Sequence, residues 1–265
     1  MEKFIKKVAH DAGAFLMKNI DSDYHVAIKG GLAQHDLVTD IDKKCEDLIV
    51  KSIAKEFPEH GIIAEENTRV NPHAHYTWVI DPLDGTTNYV HKNPLFSISI
   101  ALMKDARAIL GLIYNPYYDE IFFAEKGKGA FLNDKKISVS KVPTLEESVL
   151  VTGFACRRDH KKTPNIHIFD GLLTIVQGLR RLGSAALDLA YVSCGRCDGF
   201  WEFNLNAWDI AAGALIVEEA GGRVTSFDSD DAYIAKRQIL ATNGKIHTEL
   251  LSSINRYKKL FPSYE

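Results

Sequence analysis

The sequence predicts an α+β protein whose sheets are covered by helices, and three observations predict it. Apolar residues near the N-terminus recur at helical spacing. Between 95 and 139 the period shortens to two. From 148 onward short apolar runs alternate with helical stretches. The expected organisation is an α+β half with an antiparallel sheet, residues 1–143, followed by an α/β half, residues 144–265, with the boundary falling near 140–148.

Taken in order, residues 3–19 read as a helix because Ile5, Val8, Ala12 and Leu16 share one face. Residues 40–57, "DIDKKCEDLIVKSIAKEF", form a second helix that Pro58 ends. Two short apolar runs follow, "GIIA" at 61–64 and "TWVI" at 77–80, and each ends directly in acidic residues. The stretches "LFSISIALM", "RAILGLIY", "DEIFFAE", "GAFL" and "KISVS" alternate with turn-forming breaks, which predicts an antiparallel meander. Beyond it come strand "SVLVTG", a helix over 165–178, a short strand at 180–182, a helix from 184, strand "GFWEF" and a helix from 207. A strand near 239–242 and a C-terminal helix close the chain.

Composition bounds the function. Thirty-two basic and 35 acidic residues give a net charge of −3, with no block of like charge. That argues against a nucleic-acid groove or a polybasic membrane anchor. No apolar run approaches the roughly 18–20 residues a spanning helix needs. The N-terminus has neither an uninterrupted apolar core nor a cleavage site, so a cytoplasmic protein with reduced thiols is expected. Of the four cysteines, Cys194 and Cys197 form a close pair in "CGRC". Cys45 and Cys156 stand far apart, so no zinc site is expected.

The stretch "DPLDGTTN" at 81–88 raises the question of chemistry. Asp, Pro and Gly are ordinary turn residues, each for a backbone reason. Here, however, an apolar strand delivers Asp81 at its C-terminal end, and sheets place ligands at such ends. The strand "GIIA" likewise ends in Glu65 and Glu66. In "NAWDIAAGALIVEEAGG", Asn206 can cap a helix and set Asp209 in its first turn. Each feature has an ordinary structural explanation, and spacing alone does not show that they converge.

"WVIDPLDGTTNYVHKNPLFSISIAL" together with "LNAWDIAAGALIVEEAGG" resembles the inositol monophosphatase family of Mg²⁺-dependent, lithium-sensitive phosphatases. The resemblance continues through "DLVTDID", "IIAEEN" and "RRLGSAALDLAYVSCGRCDGFWEF", so it spans nearly the whole chain. It implies a layered αβαβα sandwich of the sugar-phosphatase type, and a homodimer, neither of which periodicity yields. It also implies a metal set of Glu65, Asp81, Asp84, Asp209 and the Leu83 carbonyl, holding two or three Mg²⁺ per site. Glu65, Thr86 and Asp42 are implied as the catalytic group. Phosphate and substrate hydroxyls are implied to meet Gly85, Thr86, Gly183, Ser184, Ala185, Glu202 and Asp209.

Physical chemistry is consistent with those implied roles. Mg²⁺ takes hard oxygen ligands and keeps some of its waters, so carboxylates and a carbonyl suffice without His or Cys. Four carboxylates balance two such ions, and phosphate-ester hydrolysis depends on charge neutralisation. His73 and His75 in "NPHAHY" are read as loop residues, and His91 as a surface or neighbouring group. Lys29 in the variable "KGGLAQHD" loop is a candidate to reach the site.

The expected function is therefore a Mg²⁺-dependent phosphomonoesterase acting on myo-inositol monophosphate or a related polyol or sugar phosphate. The alternatives are fructose-1,6-bisphosphatase, histidinol-phosphatase or 3′-phosphonucleotide phosphatase activity, or a bacterial RNA-synthesis accessory factor. The expected partner is a small phosphate ester, with no membrane or nucleic acid.

Overall fold

The computed structural model describes residues 1–28, 37–66, 68–154 and 165–260. Lys29 and Cys156 lie outside the described residues. Helix α1 (Glu2–Asn19) buries the stripe Ile5, Val8, Ala9, Ala12 and Leu16, the face its periodicity predicts. After the ribbon β1 (Val26–Ile28) and β2 (Leu37–Thr39), helix α2 (Asp40–Glu56) begins on a capping box. Thr39 Oγ1 accepts from the Ile41 and Asp42 amides, and the Asp42 carboxylate accepts the Thr39 N–H at 2.8 Å.

Strand β3 (Gly61–Ala64) pairs with edge strand β4 (Arg69–Val70) and with β5 (Tyr76–Asp84). The short helix α3 (Thr86–Val90) follows. The meander is β6 (Ser97–Lys104), β7 (Arg107–Asn115), β8 (Glu120–Glu125), β9 (Ala130–Leu132) and β10 (Lys135–Lys136). The described strands of this sheet run in the order β10-β9-β8-β7-β6-β5-β3-β4. Two expectations are corrected here. The strand "KISVS" reduces to Lys135–Lys136: the Ile137 amide still donates to the Ala130 carbonyl of β9, and beyond it the chain turns away, its Val139 amide donating to the Ala220 carbonyl. The sheet is also not wholly antiparallel, since β3 runs parallel to β5.

The second sheet runs in the order β12-β11-β13-β15-β14: β12 (Gly178–Arg180), β11 (Val149–Thr152), β13 (Gly199–Phe203), β15 (Gln238–Thr242) and β14 (Arg223–Thr225). Helix α4 (Asn165–Leu173) stops five residues before its predicted end, and β12 falls at 178–180 rather than 180–182. Helices α5 (Ala185–Ser193), α6 (Ala207–Glu219), the one-turn α7 (Tyr233–Lys236) and α8 (His247–Leu260) complete the described elements.

Five layers result. Helices α1 and α2 cover the outer face of the large sheet, α5 and α6 lie between the sheets, and α4 packs with α8 beyond the small one. Helix α6 is buried continuously from Ile210 to Val217, because it touches β6, β7 and β8 on one side and β14 and β15 on the other. Gly111 of β7 lets it approach. A Cβ there would stand 2.7 Å from the Ala212 carbonyl. That close seat fixes the α6 N-terminus, which carries Asp209.

His247, fully buried, lies between Thr225 Oγ1 (3.0 Å) and Thr242 Oγ1 (2.9 Å). Burial, with Arg223 nearby, lowers its pKa to about 4. The unfolded chain binds this proton near pH 6.5, so the stability contributed by neutral His247 is complete above that pH and is lost as pH falls toward about 4. Urea titrations at pH 7 and 4.5 are expected to show the wild type losing about 2–3 kcal/mol more than His247→Asn. Equal losses would remove His247 from the acid response.

Candidate active site

The parallel pairing of β3 with β5 places two acids side by side. Ala64 is in register with Ile80, and the Glu65 amide donates to the Ile80 carbonyl at 3.1 Å. Glu65 and Asp81 therefore leave the same end of adjacent parallel strands. Glu46 of α2, itself buried, accepts from the Glu66 amide at 2.7 Å and from the Thr68 amide at 3.2 Å, which fixes the loop behind Glu65.

Asp81 is 1% exposed, and its Oδ1 accepts the Leu83 N–H at 3.0 Å, closing the turn around Pro82. The ladder with β6 is irregular between Asp81 and Asp84, which returns Asp84 toward the same cleft. Gly85 then adopts φ = 94°, a conformation open to glycine. Across from it Gly183 has φ = 95°, and Asn88 Nδ2 donates to the Leu182 carbonyl at 2.8 Å, tying the two turns together.

Asp84 Oδ2 accepts from Ser184 Oγ at 2.6 Å and from the Ala186 amide at 2.7 Å, so it also caps α5. Asp209 accepts the Asn206 amide at 2.6 Å in the first turn of α6. Thr86 Oγ1 donates to Asp42 at 2.8 Å and lies 3.2 Å from the Leu83 carbonyl.

The electrostatics show that the acids gather. Burial raises the Asp81 carboxyl well above its usual range, reinforced by Glu65, Asp84 and Asp209. Burial likewise raises Asp209, with Glu65 and Asp84 adding to it. Asp84 is raised to about 6 by burial, and its bonds to Ser184 and Ala186 oppose the rise. Among the described residues no three His, Cys, Asp or Glu side chains form a ready-made metal cage. The charges interact while their oxygens bond to protein donors. Clustered buried carboxyls of like charge are costly, and a hard divalent cation relieves that cost, so the donor set fits Mg²⁺.

A cleft of about 610 Å³ joins these groups. Its lining includes Glu65, Asp81, Leu83, Asp84, Gly85, Thr86, Gly183, Ser184, Ala185, Glu202 and Asp209, every candidate except Asp42, which stands behind Thr86. The other flagged groups are elsewhere. His75 Nδ1 pairs with Asp105 at 2.6 Å on the surface, and His73 and His91 are exposed. Burial pushes the Cys194 thiol up and the Cys197 thiol up to about 12, which does not suit a reactive pair.

Several residues escaped the sequence reading. Gly153 lies against Glu202, whose carboxylate occupies the space a Cβ would need. Arg69 stacks 5.2 Å from the Trp208 ring and also donates to the Ala64 carbonyl, bracing the residues that precede Asp209 and Glu65. Arg181 and Asp188 line the cleft as well. Nothing local in the sequence marks Arg69 or Gly153. Asp188 does carry a signal, as a single acid inside the apolar run "SAALDLAYV".

The model of the inositol monophosphatase family matches residues 1–259. The chain is 44% identical over 233 residues to an inositol-1-monophosphatase of Synechocystis sp., covering 86% of this chain and 80% of that protein. It is 39% identical over 253 residues to the Nus factor SuhB of Pseudomonas aeruginosa, covering 94% and 93%. The structure of an inositol monophosphatase from Anabaena (Nostoc) sp. superposes with a TM-score of 0.85 at 42% identity, covering 96% of this chain and 94% of that one.

Proposed function

The chain belongs to the inositol monophosphatase family, and from that premise we propose that it is a Mg²⁺-dependent hydrolase of phosphate monoesters of inositol or a related polyol. The observation that carries this reading is the cleft that joins four interacting carboxyls to two glycine turns and to Glu202. Residues 1–143 supply most of the metal-binding oxygens. Residues 144–265 supply Asp209 and the wall that meets substrate hydroxyls. The proposed assembly is a cytoplasmic homodimer with two or three Mg²⁺ per site.

Glu65, Asp81, Asp84, Asp209 and the Leu83 carbonyl would hold the ions. The chemistry a bound Mg²⁺ supplies is acidification of water and neutralisation of phosphoryl charge. The rest falls to the chain. Backbone amides of Gly85 and Thr86 face the phosphate from the start of α3. Thr86 Oγ1 donates a hydrogen bond to Asp42, leaving lone pairs that orient the attacking water beside Glu65. As the new P–O bond forms opposite the ester oxygen, the P–O bond to the ester oxygen breaks; the attacking water passes a proton to Glu65, and the leaving alkoxide takes one from solvent in the open cleft. Glu202, 6% exposed and seated on Gly153, accepts hydroxyls of the leaving alcohol.

The relatives named Nus factor SuhB supply the rival reading of an RNA-synthesis accessory factor, to which the carboxyl-lined cleft lends nothing. The test is phosphate release from myo-inositol 1-phosphate and p-nitrophenyl phosphate with Mg²⁺. Wild-type turnover of the inositol ester is expected, with inhibition by Li⁺ of millimolar order. Glu202→Ala is expected to lower the inositol-to-aryl ratio of kcat/KM by the equivalent of about 1–3 kcal/mol. Equal loss on both esters would make Glu202 a structural residue, and no turnover of either would sink the hydrolase reading.

A further inference from the structure

We infer that Asp188 is a specificity-determining residue of this cleft, an acceptor that takes a hydroxyl of the leaving alcohol beneath Glu202. The inference rests on the polyol-phosphate reading above and adds a residue to which that reading gives no role.

Asp188 is 1% exposed, yet it lines the cleft, and its buried Oδ1 has no hydrogen-bond partner. Two other buried acids are served by protein donors. Asp198 accepts from Ser140 Oγ and the Val149 amide, and Asp42 accepts from Thr39 and Thr86. A buried carboxyl oxygen left unserved is costly, and such orphans mark places where something outside the chain supplies the bond.

Packing gives no reason for an acid there. Its neighbours on α5, Leu187, Leu189 and Ala190, are fully buried and apolar, so leucine would suit the core better. Ser184 stands one helical turn earlier, so Asp188 lies on the same face of α5, and both line the cleft. The charged groups near it are Glu202 on β13, Asp84 at the end of β5 and Arg181 in the preceding turn. Glu202 and Asp84 bring no N–H to it, and Arg181 acts on Asp188 through its charge. A hydroxyl that enters past Glu202 brings the missing donor. A flat aryl leaving group brings none.

The test uses the full-length enzyme with saturating Mg²⁺ and two substrates, myo-inositol 1-phosphate and p-nitrophenyl phosphate. In Asp188→Leu and Asp188→Ala the inositol-to-aryl ratio of kcat/KM is expected to fall about tenfold or more, with the Tm of Asp188→Leu no lower than wild type. Asp188→Asn keeps an acceptor oxygen, and its ratio is expected to stay within about threefold of wild type. Should the leucine variant not fold, the alanine variant decides. A ratio unchanged in the alanine variant, or an equal fall on both substrates, overturns the assignment while leaving the polyol reading standing. Wild-type hydrolysis of the aryl ester with none of the inositol ester sinks the polyol reading itself, and the Asp188 assignment with it.

Discussion

Asp84→Asn is expected to lose turnover by at least about 10³-fold while the protein stays folded. The carboxylate has two duties on different sides. Its Oδ2 holds Ser184 Oγ and the Ala186 amide, a task an asparagine carbonyl performs equally well. Its charge belongs to the cluster with Glu65, Asp81 and Asp209, where, in the proposed metal site, an amide would not replace it as a hard anionic ligand. Removing that charge also relieves repulsion. The folded-state pKa of Asp84 is raised to about 6, so the wild type in Mg²⁺-free buffer loses stability as pH rises from about 4 through 6. Asp84→Asn lacks that loss and is expected to be more stable at pH 7 by about 1–3 kcal/mol. Addition of Mg²⁺ raises the Tm of the wild type more than that of the variant. Turnover assays and thermal melts with and without Mg²⁺ check all three statements. Near-normal turnover would remove Asp84 from the ligand set.

Thr86→Val is the second large effect, with kcat reduced about 10²-fold or more and KM little changed. The hydroxyl donates a hydrogen bond to Asp42, whose other oxygen is already held by the Thr39 capping box at the start of α2. Asp42 is fully buried, so the threonine is held in one orientation. Valine matches the shape and removes the lone pairs proposed to orient the attacking water. Thr86→Ser keeps the hydroxyl and is expected to recover most of the rate. Steady-state kinetics on both variants decide the matter. A valine variant that raises KM and keeps kcat would make Thr86 a binding residue.

The sequence was most legible where interactions are local. The buried face of α1 follows from i, i+3, i+4 spacing, and the meander from β6 to β9 from period two. The capping acid Asp42 lies three residues from its Thr39 partner, within the reach of a sequence pattern. Where local rules weaken, element ends moved. Helix α4 stops at Leu173 because the Ile175 and Val176 amides both turn back to the Leu172 carbonyl before β12 pairs with β11.

By itself, then, the sequence determined the six longer helices of the described residues, the meander and the short strands that deliver acids at their ends, but not the short α3 and α7. Its motifs, through resemblance, supplied the family and the candidate residues. Tertiary structure decided that Glu65 stands beside Asp81, through a parallel β3–β5 register across residues 61–80. It decided that Asp84 serves α5 from a hundred residues away, that Gly153 seats Glu202, and that Asp188 opens on the cleft with an unserved oxygen. The physical reason is range. Helical spacing, alternation and caps act over two to four residues and leave a pattern in the chain, whereas register, close approach and burial join residues whose separation in sequence carries no signal.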